Sequence, residues 1–241
     1  MLGQRVIGIL GGMSWESTSL YYRRINQLVK AKLGGLHSAE LVLYSLDFAE
    51  IESRQHQGDW DGAAAIMARA AASLAAAGAE AIVIATNTMH KRASDVADAG
   101  QVPVLHIADA TGAAIAAGGH KKPLLLATAF TMEEDFYTSR LKDVFGLMPI
   151  IPDAEDRKTI HQIIYDELCQ GVILPVSKDA YIKIMEKYQA DADCVILGCT
   201  EITMLVGSED TDLPVFDTTE LHAQAAADFL TQDLPAQDSR G

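Results

Sequence analysis

The stretch 194–201 holds the residues of this chain that are best suited to chemistry. It reads Cys-Val-Ile-Leu-Gly-Cys-Thr-Glu, an apolar run followed by glycine, a thiol, a hydroxyl and a carboxylate. A short β-branched run that ends in glycine indicates a buried strand. Ligands of open parallel sheets bind at the carboxyl ends of the strands, so this pattern would present Cys199 to a small molecule. The pattern also suits a structural cysteine, because free cysteines are among the most buried residues.

An earlier stretch of the chain repeats this pattern. Residues 79–87 align with residues 192–200 without a gap, and Thr86 then falls on Cys199. A weaker pair joins residues 5–14 to residues 122–131. The sequence therefore predicts two similar halves. If these halves face each other, Thr86 and Cys199 lie on opposite walls of one cleft.

Composition restricts the classes of partner. The 241 residues suffice for one or two domains. The net charge of −14 argues against a nucleic-acid or membrane-surface partner, since those partners require a basic patch. No apolar run reaches membrane-spanning length, and the three cysteines are spaced for neither a disulfide framework nor a zinc site. We expect a soluble cytoplasmic protein that binds a small molecule and no metal.

The elements around these stretches predict an α/β fold. Strand-like runs alternate with helical patterns along the whole chain, which is typical of parallel, doubly wound sheets. The first strand ends in Gly11-Gly12-Met13-Ser14, which lacks the spacing of a dinucleotide-binding loop. Residues 86–90 turn into a helix, where Thr and Asn are common N-caps. We expect His90 to pack locally or to form a local hydrogen bond.

Four motifs together resemble those of the aspartate/glutamate racemase family. They occupy residues 8–18, 86–90, 197–202 and 214–218, and the match covers nearly the whole chain. Within that family they are most similar to the enterobacterial broad-specificity amino-acid racemases. The resemblance implies two Rossmann-like domains with parallel sheets, related by a pseudo-twofold axis, with the active site in the cleft between them. We assign residues 1–106 plus 212–241 to the first domain and 107–211 to the second.

The same resemblance implies which residues act. The family abstracts the α-proton of an amino acid without a cofactor, and most members use one cysteine on each wall of the cleft. Here Thr86 and Cys199 occupy those two positions, with Cys199 expected as the base on the L side. A strand-to-helix turn after residue 197 predicts a lowered pKa for the Cys199 thiol. We expect substrate contacts from Met13, Ser14, Gln55, Asn87, Thr88, Thr128, Thr131 and Thr200.

Three classes of function stay open at this point. The first is a racemase of aspartate, glutamate or related amino acids. The second is another carbanion enzyme on the same scaffold, a decarboxylase or an isomerase, because a fold does not fix a reaction. The third is a non-catalytic amino-acid-binding protein, which the loss of one thiol could produce. A homodimer is a candidate assembly for each of them.

Overall fold

The computed structural model describes residues 3–234 and divides the chain into two compact units. Of the described residues, unit 1 comprises 3–106 and 222–234, and unit 2 comprises 107–221. Each unit contains a three-stranded parallel sheet with helices, so the predicted α/β class with two parallel sheets is confirmed. Within the described range, no helix has both the length and the apolar character needed to cross a membrane.

Unit 1 is built around strand β1, which is buried on both faces. Its sheet has the order β2-β1-β3, so β1 lies between two parallel neighbours. This burial explains the continuous apolar run of β1, because a central parallel strand has no solvent face. The elements are β1 (Ile7–Gly11), α1 (Trp15–Leu33), β2 (Leu41–Ser45), α2 (Phe48–Gln57), α3 (Trp60–Ala76), β3 (Ala81–Ile84), a 3₁₀ helix (Thr88–Arg92) and α4 (Ala93–Gly100).

Unit 2 is built around β5, the strand that precedes Cys199. Its sheet has the order β4-β5-β6. The elements are α5 (Ile107–Ala117), β4 (Pro123–Leu126), α6 (Ala129–Glu133), α7 (Asp135–Phe145), α8 (Ala154–Gln162), a π-helix (Ile163–Glu167), a 3₁₀ helix (Leu168–Gln170), α9 (Pro175–Tyr188), β5 (Cys194–Leu197), two 3₁₀ helices (Thr200–Met204 and Ser208–Asp210), β6 (Val215–Asp217) and the first four residues of α10 (Thr218–Thr231).

Residues 212–221, which the sequence analysis assigns to the first domain, belong to unit 2. The reason is strand pairing: β6 lies parallel to β5, with Val215 opposite Val195. Helix α10 begins in unit 2 and continues into unit 1, where residues 222 onward are placed.

The strands of each sheet end in register. In unit 1, Leu10 of β1 lies opposite Ile84 of β3. In unit 2, Leu126 of β4 lies opposite Leu197 of β5. Because parallel strands present their carboxyl ends at one edge, the turns that follow within each sheet share that edge.

Helix α10 packs on unit 1 through a stripe of small and apolar side chains at helical spacing: Ala223, Ala226, Ala227 and Leu230. Buried His222 precedes this stripe and fixes the helix to the rest of the unit. Its Nε2–H donates to the Leu105 carbonyl oxygen at 2.6 Å, and its Nδ1 accepts from the Tyr21 hydroxyl at 2.9 Å. The neutral imidazole satisfies both partners, whereas an imidazolium would have no acceptor for Tyr21.

Buried His222 and His90 form a cluster with the half-buried His106. The His90 ring centroid lies 4.6 Å from that of His106 and 5.5 Å from that of His222. Burial lowers the pKa of His222 to about 4, and the hydrogen bond to the Leu105 carbonyl oxygen offsets only part of this lowering. Burial, followed by the charges of the other two histidines, holds the pKa of His90 well below its ordinary value. Folding of unit 1 therefore favours uncharged rings.

The cluster predicts a loss of stability in mild acid. An unfolded histidine titrates near pH 6.5 and folded His222 near pH 4. Between these values the unfolded chain binds the extra proton, so the free energy of unfolding falls as the pH drops through this window. For His222 the loss is about 3 kcal/mol. Denaturant unfolding across that pH range should show a smaller pH dependence for His222→Gln than for the unmutated protein. The exposed control His56→Gln should keep the full dependence; an equal dependence for His222→Gln contradicts the assignment.

Candidate active site

In unit 2, Cys199 immediately precedes the five-residue 3₁₀ helix Thr200–Met204. Its backbone is extended, and its side chain is partly buried. The Cys199 Sγ donates a hydrogen bond to Oε2 of Glu201 at 2.9 Å. The Thr200 hydroxyl donates to the same oxygen at 2.5 Å. Thr200 and Glu201 are both buried, so this carboxylate accepts two side-chain hydrogen bonds away from solvent.

This environment raises the pKa of the Cys199 thiol well above its ordinary value. The main cause is burial, followed by the negative charge of Glu201 and then the proximity of Cys169. The predicted lowering of this pKa is therefore wrong. A five-residue 3₁₀ turn offers few aligned peptide dipoles, while the Glu201 carboxylate is in direct contact. In the free protein, Cys199 is a neutral thiol that donates to Glu201.

The end of β4 contributes two buried hydroxyls at the same sheet edge. Thr128 is the N-cap of α6 and accepts from the Thr131 backbone N–H at 3.4 Å. The two threonine Oγ1 atoms lie 3.2 Å apart. Since Leu126 and Leu197 are in register, Thr128 and Cys199 each follow the aligned pair by two residues. The structure thus places the predicted residues Thr128, Thr131, Cys199 and Thr200 at one edge of the unit 2 sheet.

In unit 1, the turn after β1 is held by hydrogen bonds to Thr18. Its Oγ1 accepts from the Gly12 N–H and donates to the Ser14 carbonyl oxygen, each at 2.8 Å. Ser14 is the N-cap of α1 and accepts from the Ser17 N–H at 3.3 Å. Gly12 has a φ of 77°, and a Cβ added at this position would collide with the backbone of Leu46. Only glycine fits this conformation without strain.

The turn after β3 begins at Thr86, which is partly exposed while Asn87 and Thr88 are buried. His90 Nδ1–H donates to the Thr86 carbonyl oxygen at 2.8 Å. This bond confirms the expected local role of His90. Gln55, buried at the end of α2, donates from Nε2 to the Met89 sulfur at 3.0 Å.

Unit 1 therefore holds a second group of predicted residues. Met13 and Met89 belong to the same apolar cluster, and Met89 in turn contacts Gln55. The residues that the structure brings to these turns are Met13, Ser14, Gln55, Thr86, Asn87 and Thr88. The sequence analysis did not select Glu201 as a site residue. The sequence signal for this contact was the spacing of Glu201 two residues after Cys199, which lets the carboxylate reach the thiol across a single turn.

The donor set of these turns does not form a metal centre. Among residues 3–234, the group of His, Cys, Asp and Glu side chains close enough to hold an ion includes neither Cys199 nor Glu201. The site instead offers hydroxyls, backbone N–H groups and one thiol–carboxylate pair, a set suited to binding a carboxylate and moving a proton.

Comparison with known proteins supports this description. The family model described as Asp/Glu/hydantoin racemase matches residues 10–226. The broad-specificity amino-acid racemase RacX of Bacillus subtilis is 22% identical over 231 residues, covering 91% of this chain and 96% of that protein. A protein from Yersinia pestis with a known crystal structure, provisionally called an Asp/Glu racemase, is 53% identical in sequence with a TM-score of 0.89. The match covers 95% of this chain and 100% of that protein's chain. The crystal structure of an aspartate racemase homologue from Pyrococcus horikoshii is 34% identical in sequence with a TM-score of 0.81. That match covers 95% of this chain and 99% of the homologue's chain.

The contact between Cys199 and Glu201 can be tested without any substrate. Glu201→Gln removes the negative charge that raises the pKa of Cys199, so this pKa should fall while burial keeps it above that of a free cysteine. The alkylation rate of Cys199, followed by mass spectrometry as a function of pH, should show its midpoint at lower pH in this variant. Glu209→Gln is the control, since Glu209 is exposed and outside the contact. A midpoint that stays constant or rises in Glu201→Gln contradicts the assignment.

Proposed function

Because this chain belongs to the Asp/Glu/hydantoin racemase family, we propose that it is a cofactor-independent racemase of aspartate, glutamate or related amino acids. The observation that carries the proposal is the hydrogen bond between partly buried Cys199 and buried Glu201 after the end of β5. It supplies an acid and a base in direct contact at the edge where parallel sheets bind ligands. The similarity to RacX, a broad-specificity amino-acid racemase, supports the same class of substrate.

The proposed reaction starts from a neutral thiol. Cys199 passes its proton to the Glu201 carboxylate, which becomes a carboxylic acid, and the resulting thiolate removes the α-proton of an L-amino acid. The electron pair of the broken C–H bond moves into the substrate carboxylate as an enolate. Backbone N–H groups and hydroxyls of the turns, Thr200 among them, stabilise the growing charge. The substrate ammonium also favours the thiolate, because a nearby positive charge lowers the pKa of a thiol. The hydroxyl and N–H donors that stabilise the enolate take the place of the electron sink that pyridoxal phosphate would supply. At the end of the cycle Glu201 releases its proton to solvent, and the group that protonated the carbanion takes one up.

We assign Thr86 to the opposite face of the α-carbon, following the family pattern. A threonine hydroxyl stays protonated near neutral pH, so it donates or relays a proton far better than it removes one. Proton delivery from this face yields the D-enantiomer. Thr86 is a poor base, so the reaction starts much more easily from the L-enantiomer.

Substrate binding is assigned to the two groups of turn residues. In unit 2 these are Thr128, Thr131 and Thr200, whose hydroxyls are buried at the edge that carries Cys199. In unit 1 they are Met13, Ser14, Gln55, Asn87 and Thr88, which surround the turns after β1 and β3. The hydroxyls and amides suit the two carboxylates of an acidic amino acid.

A second candidate follows from the protonation state of Cys199. A thiol with a raised pKa stays protonated at neutral pH, and a decarboxylase needs a protonated group to quench the strongly basic carbanion left when CO₂ departs. Release of CO₂ from a substituted malonate, without α-hydrogen exchange of amino acids, would favour this reaction. A protein that binds amino acids but catalyses neither reaction would be a binding protein.

Cys199→Ser tests the proposed base. A serine hydroxyl cannot replace the thiolate, so α-hydrogen exchange of L-aspartate or L-glutamate in deuterated water should fall about 10²–10⁴-fold. Proton NMR measures the exchange, and circular dichroism verifies the fold. Cys169→Ser is the matched control and should keep most of the activity. Near wild-type exchange in Cys199→Ser would sink the assignment.

Thr86→Cys tests the proposed asymmetry between the enantiomers. In the unmutated protein, α-hydrogen exchange should be fast for the L-enantiomer and slow for the D-enantiomer. A second thiol on the Thr86 side should accelerate exchange of the D-enantiomer by about 10²–10⁴-fold. Thr86→Ser, which keeps a hydroxyl, is the control and should leave the D-side rate low. Equal exchange of both enantiomers in the unmutated protein contradicts the assignment of Thr86 as the limiting group.

A further inference from the structure

Three side chains with metal-binding atoms meet in unit 2, away from Cys199. They are His120, Asp193 and Cys194, and one ligand atom from each lies within 4.8 Å of the other two. Cys194 is the first residue of β5 and pairs with Pro123, the first residue of β4. The cluster therefore lies at the edge where β4 and β5 begin. Cys199 follows the opposite end of the same strand, so the two sites use different edges of the sheet.

The backbone holds the Asp193 carboxylate in place. Its Oδ2 accepts from the Lys121 N–H at 2.7 Å, and its Oδ1 accepts from the Lys122 N–H at 2.9 Å. A carboxylate oxygen has two acceptor positions, so each oxygen keeps one for a further partner. Hydrogen bonds of this kind orient the carboxylate ligands of metal sites.

The other two side chains are also fixed by their surroundings. Cys194 is fully buried as the first residue of β5. The His120 ring packs edge-on against Phe216, with 5.7 Å between the ring centroids. Thus a nitrogen, an oxygen and a sulfur donor converge from the start of β5 and from the segment that precedes β4.

We propose that His120, Asp193 and Cys194 bind a divalent transition metal, with Zn²⁺ as the best fit. One imidazole, one carboxylate and one thiolate form a mixed donor set that Zn²⁺ accepts in tetrahedral geometry. Three protein ligands leave the fourth position to water. Mg²⁺ and Ca²⁺ prefer sites made of oxygen atoms, so they fit this set poorly. No metal was expected from the sequence, because the spacing of Cys194 and Cys199 is not a zinc pattern and no Cys or His pair lies nearby in the sequence to complete one.

Binding must release one proton. The Cys194 thiol loses its proton to solvent as its sulfur bonds to the metal, and no oxidation state changes. Because the thiol must lose its proton to bind the metal, metal affinity should increase with pH. The bound ion would connect the segment before β4 to the first residue of β5, and would stabilise unit 2 by mass action.

Isothermal titration of the full-length, chelator-treated protein with ZnCl₂ tests the site. We expect one Zn²⁺ per chain and, from two buffers with different ionisation enthalpies, the release of about one proton. His120→Gln and Cys194→Ser should each weaken binding at least about 10-fold. His56→Gln and Cys169→Ser are matched controls and should bind as the unmutated protein does. Cys199→Ser should also retain the site, because its thiol lies at the other edge of the sheet.

Cobalt identifies the thiol involved. The Co²⁺ complex should show a thiolate-to-cobalt charge-transfer band that disappears in Cys194→Ser and persists in Cys199→Ser. If Cys194→Ser fails to fold, His120→Gln still tests the proposal, because His120 is partly exposed. Weaker Zn²⁺ binding by this variant supports the site, and unchanged Zn²⁺ binding overturns it. The proposal is also overturned if the unmutated protein binds no stoichiometric Zn²⁺, or if the band is lost only in Cys199→Ser.

Discussion

Gly198 lets β4 and β5 remain paired up to the residue before the turn that carries Cys199. Its N–H donates to the Leu126 carbonyl oxygen at 2.7 Å. A Cβ at this position would lie 2.9 Å from the Ala127 Cβ, closer than packed carbon atoms approach. The absence of a side chain keeps the two strands in register, and this register brings Thr128 and Cys199 to one edge. Unit 1 has the same constraint at Gly11, where a Cβ would collide with Thr18, the residue that holds the turn after β1.

The chemistry of the site depends on where one proton rests. Burying a thiol beside a carboxylate keeps the proton on sulfur, because the alternative places two negative charges in contact. In the proposed reaction, the same contact gives the proton a direct path to Glu201 once the substrate ammonium offsets the repulsion. On that proposal, the thiol stays unreactive until a ligand changes the local charge. This arrangement also protects Cys199 from adventitious oxidation, which requires the thiolate.

The sequence predicted those features that local pattern determines. The apolar runs before Thr86 and Cys199 became the buried strands β3 and β5, and the alignment of the two stretches reflects two strands that end in the same kind of turn. Features set by distant residues were missed. The pKa of Cys199 depends on burial that no local pattern reveals, and β6 joins the second sheet through pairing with β5 rather than through any signal in residues 214–218. The contact of Gln55 with Met89 crosses 34 positions, so no local pattern predicts it.

Unit 1 is built from two stretches of the chain that are separated by unit 2, and this has a consequence during synthesis. Tyr21 and its partner His222 are separated by 201 positions, so the ribosome makes all of unit 2 between them. At about 5–20 residues per second, this interval lasts about 10–40 s. During that time the surface that later receives α10, including Ile7, Ile9 and Ile25, is exposed on the nascent chain. Unit 2 contains no residue beyond position 221, so all of its residues are synthesised before those of unit 1 are complete. Unit 1, whose synthesis begins first, is therefore the last of the two units to have its whole chain available for folding.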